Sequence, residues 1–205
     1  MAGSLVAIGV SHHYDTQVRT HFQKTTGLPQ TSSDIQDAVP SAAVFVATAL
    51  YANLINDESG RREAWAMLES GGLSAATSYG LKFAISRRSP HQTSDPNQWF
   101  KNGGMSFPST HASVAFAFGT VLAESGGDDY RWVRRLLGYG LGAATSYQRL
   151  KHNAHWLSDT VGGAALGCAT AHFVMNRANE RDQGAGFTVV PVERGAMLVY
   201  RVSLP

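Results

Sequence analysis

The sequence predicts an all-α protein, a helical bundle finished by a small C-terminal β-hairpin. Three observations carry that expectation. Residues 109–124, 130–148 and 155–179 each place apolar side chains at helical spacing between helix start and stop signals. Residues 41–55 are apolar nearly all round, as a buried helix is. Beyond Gly184-Ala-Gly186, two β-rich runs at 187–193 and 197–203 flank Arg194-Gly195, with Pro191 confining its strand to an edge. At 205 residues the chain is sized for one domain over 1–205, helical through about 180 with the hairpin at about 186–203.

Taken in order, residues 5–24 are polar with scattered apolar positions, and Asp15-Thr-Gln-Val-Arg19 reads as the first turns of a peripheral helix. Gly27 and Pro29 make a turn, and Thr31-Ser-Ser-Asp34 caps a short helix that ends before Pro40. Residues 61–86 form a long helix, with an interruption expected at Gly71-Gly72 and Lys82 in its last turns. Residues 89–106, with Pro90, Pro96, Gly103 and Gly104 and no sustained period, are a loop long enough to suggest function. Ser109 then caps the next helix and Gly126-Gly127 stops it. Gly138 and Gly142 on one helix, and Gly162, Gly163 and Gly167 on the next, imply close backbone approach between those two helices.

Composition narrows the function. A formal net charge of +2, without a basic run interleaved with aromatics, gives no footprint for nucleic acid. A single cysteine, Cys168, rules out an internal disulfide framework. Runs 40–56 and 160–176 lack Lys, Arg, Asp and Glu but are rich in Ala, Gly, Thr and Asn and are short for a span, so a soluble chain is expected. The start of the chain shows no export signal. A periplasmic or secreted protein whose signal has been removed fits best, with peripheral membrane contact open and oligomeric state unspecified.

The chemistry concentrates in two stretches. Arg149-Leu-Lys-His-Asn-Ala-His155-Trp-Leu-Ser-Asp159 sets His155 and Asp159 one helical turn apart, so a carboxylate can orient an imidazole that attacks an electrophile. Phe107-Pro-Ser-Thr-His111 adds a second imidazole behind a helix start whose amides, from Thr110 and His111, suit an anion. Lys82 supplies a point charge and Arg149 a planar fork of donors. Together these residues suit a tetrahedral oxyanion. A metal site through His152, His155 and Asp159 would lack a further ligand and leave Lys82 and Arg149 unexplained, so no metal is expected. The other histidines, His12 among them, read as surface residues, and Trp99 and Phe100 as either pocket wall or core plug.

Order and spacing resemble the type-2 phosphatidic acid phosphatase superfamily, which includes bacterial class A acid phosphatases and vanadium haloperoxidases. That family's motifs are Lys, six residues, Arg-Pro; then Pro-Ser-Gly-His; then Ser-Arg, five residues, His, three residues, Asp. This chain has Lys82 followed by Ser89-Pro90, then Pro108-Ser-Thr-His111, then Arg149, His155 and Asp159 at matching intervals. The resemblance implies a helical bundle and a metal-independent phosphatase acting on a phosphomonoester or lipid phosphate through a phosphohistidine. It casts His155 as nucleophile, Asp159 as its orienting group, and His111 as the acid that serves the leaving oxygen and later activates water. It makes Lys82, Ser109, Thr110 and Arg149 the phosphate clamp, with no cofactor. Two alternatives stand beside it: a haloperoxidase holding vanadate in the same pocket, where a phosphatase would have vanadate as inhibitor, and a catalytically weak binding or structural relative. The departures are Thr110 for Gly, Gln148 for Ser, and Ser89 for the motif Arg. Arg88 or Arg87 is expected to fill that last gap, although a one-residue shift on a helix turns a side chain by about 100°.

Overall fold

The computed structural model describes residues 2–26, 48, 50, 54, 57–126, 130–182, 186–192 and 195–201. Its helices are α1 (Ala2–His13), α2 (Asp15–Thr26), α3 (Glu58–Ile85), α4 (Thr110–Glu124), α5 (Arg131–Lys151) and α6 (Leu157–Asp182). Strands β1 (Gly186–Val192) and β2 (Gly195–Arg201) then pair antiparallel, with Val189 opposite Leu198 and Val192 opposite Gly195. The expected short helix at 31–40 lies outside the described residues. So does the apolar helix at 41–55, apart from helical Thr48, Leu50 and Leu54.

Helix α4 is the centre of the bundle, packed on α3, α5 and α6, while α5 and α6 scarcely meet. Its residues Ala112, Ala117, Val121 and Ala123 are buried among small neighbours. A Cβ on Gly119 would fall 2.2 Å from the carbonyl oxygen of Gly138, and one on Gly138 equally close to that of Gly119, so α4 and α5 cross at a contact only two glycines permit. On the opposite side, a Cβ on Gly163 would meet the Ser109 carbonyl at 2.6 Å and one on Gly167 the Ser113 carbonyl at 2.2 Å. The glycines of α5 and α6 therefore admit α4 between them rather than each other, which corrects the pairing expected from sequence. The face of α3 toward α4 is lined by serines, with Ser78 donating to Ser113 at 3.0 Å and Ser113 in turn to the Ser109 carbonyl at 2.9 Å.

Two more expectations are revised. Helix α3 runs unbroken through Gly71-Gly72: Ser70, Gly71 and Ser74 are buried on its packed side, and that packing outweighs a glycine cost of about 1 kcal/mol. The helix expected to open at Asp15 does so, as α2, but it is not peripheral at its start and a further helix, α1, precedes it; the two break at Tyr14, whose carbonyl accepts from Val18 at 3.0 Å to begin α2. The break turns Asp15 inward, to 1% exposure.

Candidate functional site

The site forms where four helix ends meet, the C-terminal ends of α3 and α5 and the N-terminal ends of α4 and α6. Helix α3 closes on Ser86 in the left-handed region (φ 44°), one turn after Lys82, and the chain then doubles back along residues 86–109. Backbone bonds from Phe100 to Ile85 (2.9 Å), Arg88 to Gln98 (2.9 Å) and Ser106 to Arg87 (2.9 Å) hold that long loop against the helix end. Helix α4 begins at its cap Ser109, whose hydroxyl accepts from the Ala112 amide and whose own amide donates to the Asp159 carbonyl at 3.0 Å. Helix α5 stops at Asn153, a residue type that tolerates the left-handed region (φ 53°), with Asn153 donating to the Leu150 carbonyl and Ala154 to that of Arg149. This Schellman end puts Arg149 in the last turn and frees the chain at Ala154 and His155. Helix α6 then starts at Leu157, not at His155 as the sequence spacing suggested. The bonds from Asp159 and Thr160 back to the Trp156 carbonyl make Trp156 its cap.

That late start changes how Asp159 works. Its Oδ2 reaches back to the Trp156 amide at 2.8 Å, the carboxylate half of a capping box, and takes the Ser106 hydroxyl at 2.5 Å. His155 Nδ1 lies 3.7 Å from the same oxygen, longer than a hydrogen bond, and has no hydrogen-bond partner among the described residues. The imidazole is only 10% exposed and Asp159 wholly buried. Burial pushes the His155 pKa below the ordinary imidazole value; Asp159 opposes this in part, while the charges of Lys82 and His111 add to it. Burial would raise Asp159, but His155, Arg87 and Ser106 outweigh it and keep its carboxyl below the usual carboxylate range. Lys82, 6% exposed, donates to the Met105 carbonyl, and burial lowers its pKa to about 8 against the opposing pull of Asp159. These mutual influences put Lys82, His111, His155 and Asp159 in one electrostatic neighbourhood. Arg149 is 8% exposed, Ser109 is buried, and the Thr110 hydroxyl is buried with no hydrogen-bond partner among the described residues.

Arg87 and Arg88 do not take the part expected of them. Arg88 is exposed, and its carbonyl accepts from the Trp156 indole at 2.9 Å. Arg87 is fully buried and its donors are taken from within: Nη1 by Asp159 Oδ1 (2.5 Å) and Ser158 Oγ (2.8 Å), Nη2 by Asp15 Oδ2 (2.7 Å), and Nε by the Pro96 carbonyl (3.1 Å). Trp99 stands over it, 4.1 Å from ring centroid to guanidinium carbon, so the half-buried Trp99 covers Arg87 while Phe100 is exposed. A guanidinium so enclosed holds a carboxylate rather than a substrate. Ser89 is buried too, its hydroxyl 3.0 Å from His91 Nδ1 and 3.1 Å from Gln92 Oε1.

Sequence reasoning missed Asp15, Ser106, Ser158 and His12. Asp15 accepts from the Ser158 amide (2.8 Å) and hydroxyl (2.7 Å), and His12, half-buried rather than incidental, sits 2.9 Å from the Asp15 carboxylate. Only the acid opening α2 gave a signal, and it was indistinguishable from a surface first-turn charge.

This arrangement of helix ends agrees with sequence comparison. The pattern of the PAP2 superfamily matches residues 63–183, and the chain belongs to that superfamily. A lipid A 1-phosphatase of Porphyromonas gingivalis is 32% identical over 113 residues, which are 53% of this chain and 23% of that protein. The crystal structure of Aquifex aeolicus LpxE aligns with 84% of this chain and 94% of its own at a TM-score of 0.50 and 16% identity, a likeness of fold.

Proposed function

We propose that the protein is a metal-independent phosphatase that hydrolyses a lipid phosphate or other phosphomonoester through a phosphohistidine on His155. The observation that carries the reading is the buried imidazole whose Nδ1 faces the buried Asp159 at 3.7 Å. With Nδ1 turned to the carboxylate, Nε2 is the nitrogen free to attack phosphorus. A small ring rotation closes the Nδ1–H bond to Asp159, a contact that tightens as positive charge grows on the ring. As the N–P bond forms, the bond from phosphorus to the ester oxygen breaks and His111 delivers the proton to that oxygen. His111 then takes a proton from water, whose oxygen attacks phosphorus and releases His155. Lys82, Arg149, Ser109 and the Thr110 amide hold the non-bridging oxygens, which carry the charge of the transition state. The depressed pKa of His155 keeps the nucleophile neutral into mildly acidic solution, as an acid phosphatase requires.

A lipid substrate is supported by the lipid A 1-phosphatase likeness and by exposed apolar side chains on the end of α3 that carries Lys82 and on the loop that follows it. Phe83 and Phe100 are exposed, and Met105, whose carbonyl binds Lys82, is partly so. Among the described residues no helix is long and apolar enough to cross a membrane. Peripheral contact with a membrane in a periplasmic or secreted setting accompanies this reading.

The test is a panel of lipid and soluble phosphomonoesters assayed with EDTA present, with and without orthovanadate. Turnover that persists in EDTA and is inhibited by vanadate supports the proposal; vanadate-stimulated halide oxidation would replace it with the haloperoxidase reading. His155→Ala should be inactive, whereas His111→Ala should still trap phosphate from an ester with a good leaving group, which needs little protonation. Phosphate trapped on the His155→Ala protein would sink the assignment.

A further inference from the structure

Arg87 lies between two buried carboxylates and gives one terminal nitrogen to each: Nη2 to Asp15 and Nη1 to Asp159. Asp15 comes from the start of α2, far from every motif of the site in sequence. It also caps α6 from outside, since the Ser158 amide it accepts is the second of that helix and is bonded at 2.8 Å. Asp159, one residue later, supplies the other cap by bonding the Trp156 amide at 2.8 Å. The first turn of α6, the carboxylate behind His155 and the guanidinium are thus tied in a closed ring: Asp15 to Arg87, Arg87 to Asp159, Asp159 through the helix to Ser158, and Ser158 back to Asp15.

The ring divides a charge. Without Asp15, Nη2 would keep only the Pro96 carbonyl (2.8 Å) and the neighbouring His12 Nδ1 (3.1 Å), with no carboxylate of its own to hold it from turning with Nη1 onto Asp159 as a bidentate fork, the arrangement that pair prefers. Such a fork would engage Asp159 Oδ2, the oxygen that faces His155, and draw it from the imidazole. With Asp15 present, Arg87 holds only Oδ1 and leaves Oδ2 turned to Ser106, Trp156 and His155. His12 braces the arrangement from α1, its Nδ1 2.9 Å from Asp15 Oδ2 and its Nε2 3.0 Å from Asn97 Oδ1.

We infer that Asp15 is a positioning residue for the reaction, setting through Arg87 and Ser158 the orientation of Asp159 toward His155. The inference rests on the nucleophile assigned to His155 above. At 1% exposure Asp15 is sealed behind Asp159 and does not meet substrate. Its effect therefore falls on kcat and leaves KM near parental.

The experiment compares Asp15→Asn, Asp15→Glu, Ser158→Ala and His155→Ala in the full chain, using the phosphomonoester that the parent turns over fastest, with circular dichroism to confirm the fold. Folded Asp15→Asn should lose about 100-fold in kcat, the effect of a misplacement on the order of 1 Å, with KM changed by less than roughly threefold. Asp15→Glu, which retains the carboxylate, should recover part of the loss. Parental kcat in folded Asp15→Asn overturns the inference. Should Asp15→Asn fail to fold, Ser158→Ala decides: it removes one strut and no charge, a kcat about tenfold lower supports the ring, and an unchanged kcat overturns it. Turnover by His155→Ala would instead overturn the nucleophile assignment itself, whatever the Asp15 variants do.

Discussion

Lys82 holds its proton in a place where burial resists the charge, and its pKa falls to about 8 as a result. The clamp role proposed for it then has an upper pH limit. KM should climb as pH rises through about 8 while the cation is lost, and Lys82→Gln should give a raised KM without that alkaline limb in a pH series of initial rates. The two arginines that follow divide sharply. Arg87→Ala would leave Asp15 and Asp159 as buried carboxylates without their cation, a loss of about 3–5 kcal/mol in a denaturant titration, whereas Arg88→Ala on the exposed side should stay within about 0.5 kcal/mol of the parent. Parental stability in Arg87→Ala would show that the guanidinium does not hold the two carboxylates. The motif positions were legible because each residue type suits a task that few others perform. The position of Arg87 was not, because a buried arginine and a phosphate-binding arginine look alike in sequence; only Asp15 on a distant helix tells them apart.

At the level of helices, the glycine contacts decide which surfaces can meet. Gly163 lets α6 lie on the Ser109 carbonyl, at the residue whose amide is bonded to Asp159. Gly163→Ala puts a methyl 2.6 Å from that carbonyl, so α4 and α6 must separate just where each carries a motif. We expect a stability loss of about 1–3 kcal/mol together with a fall in kcat, while Gly72→Ala, whose added Cβ has nothing within 4 Å, should stabilise α3 by up to about 1 kcal/mol. Thermal melts and rates on both variants check the pair, and a Gly163→Ala protein with parental Tm and kcat would contradict the packing argument. Helix existence and the long loop were readable because start, stop and period signals agree locally. Helix partners were not, since a glycine announces that something comes close without saying what. The start of α6 was misplaced for a related reason: His155 and Asp159 have helical spacing, but the left-handed turn at Asn153 delays the helix until Leu157.

For the molecule as a whole, the buried site ties stability to pH in one direction. The unfolded chain binds a proton on His155 below about 6.5, while the folded site resists it, so stability falls as pH drops below that value. Asp159 adds to this at lower pH: its folded pKa is below the ordinary 3.8, so its contribution is present above that value and lost as pH falls through the folded pKa. Lys82 acts with the same sign at the alkaline end, because between about 8 and 10.5 the unfolded chain holds a proton that the folded one has released. Urea midpoints should therefore decline from pH 7 toward pH 4, and His155→Gln should flatten the upper part of that decline; an unchanged slope in the variant would assign it to other groups. The order of synthesis gives the Asp15–Ser158 bond a further meaning, for its partners stand 143 residues apart. As the chain leaves the ribosome, Asp15 and Arg87 are made well before Asp159, and they can pair with each other but not complete the site. A chain cut short before α6 lacks Asp159 and with it the second carboxylate of Arg87, so the arrangement of helix ends around His155 cannot form in it.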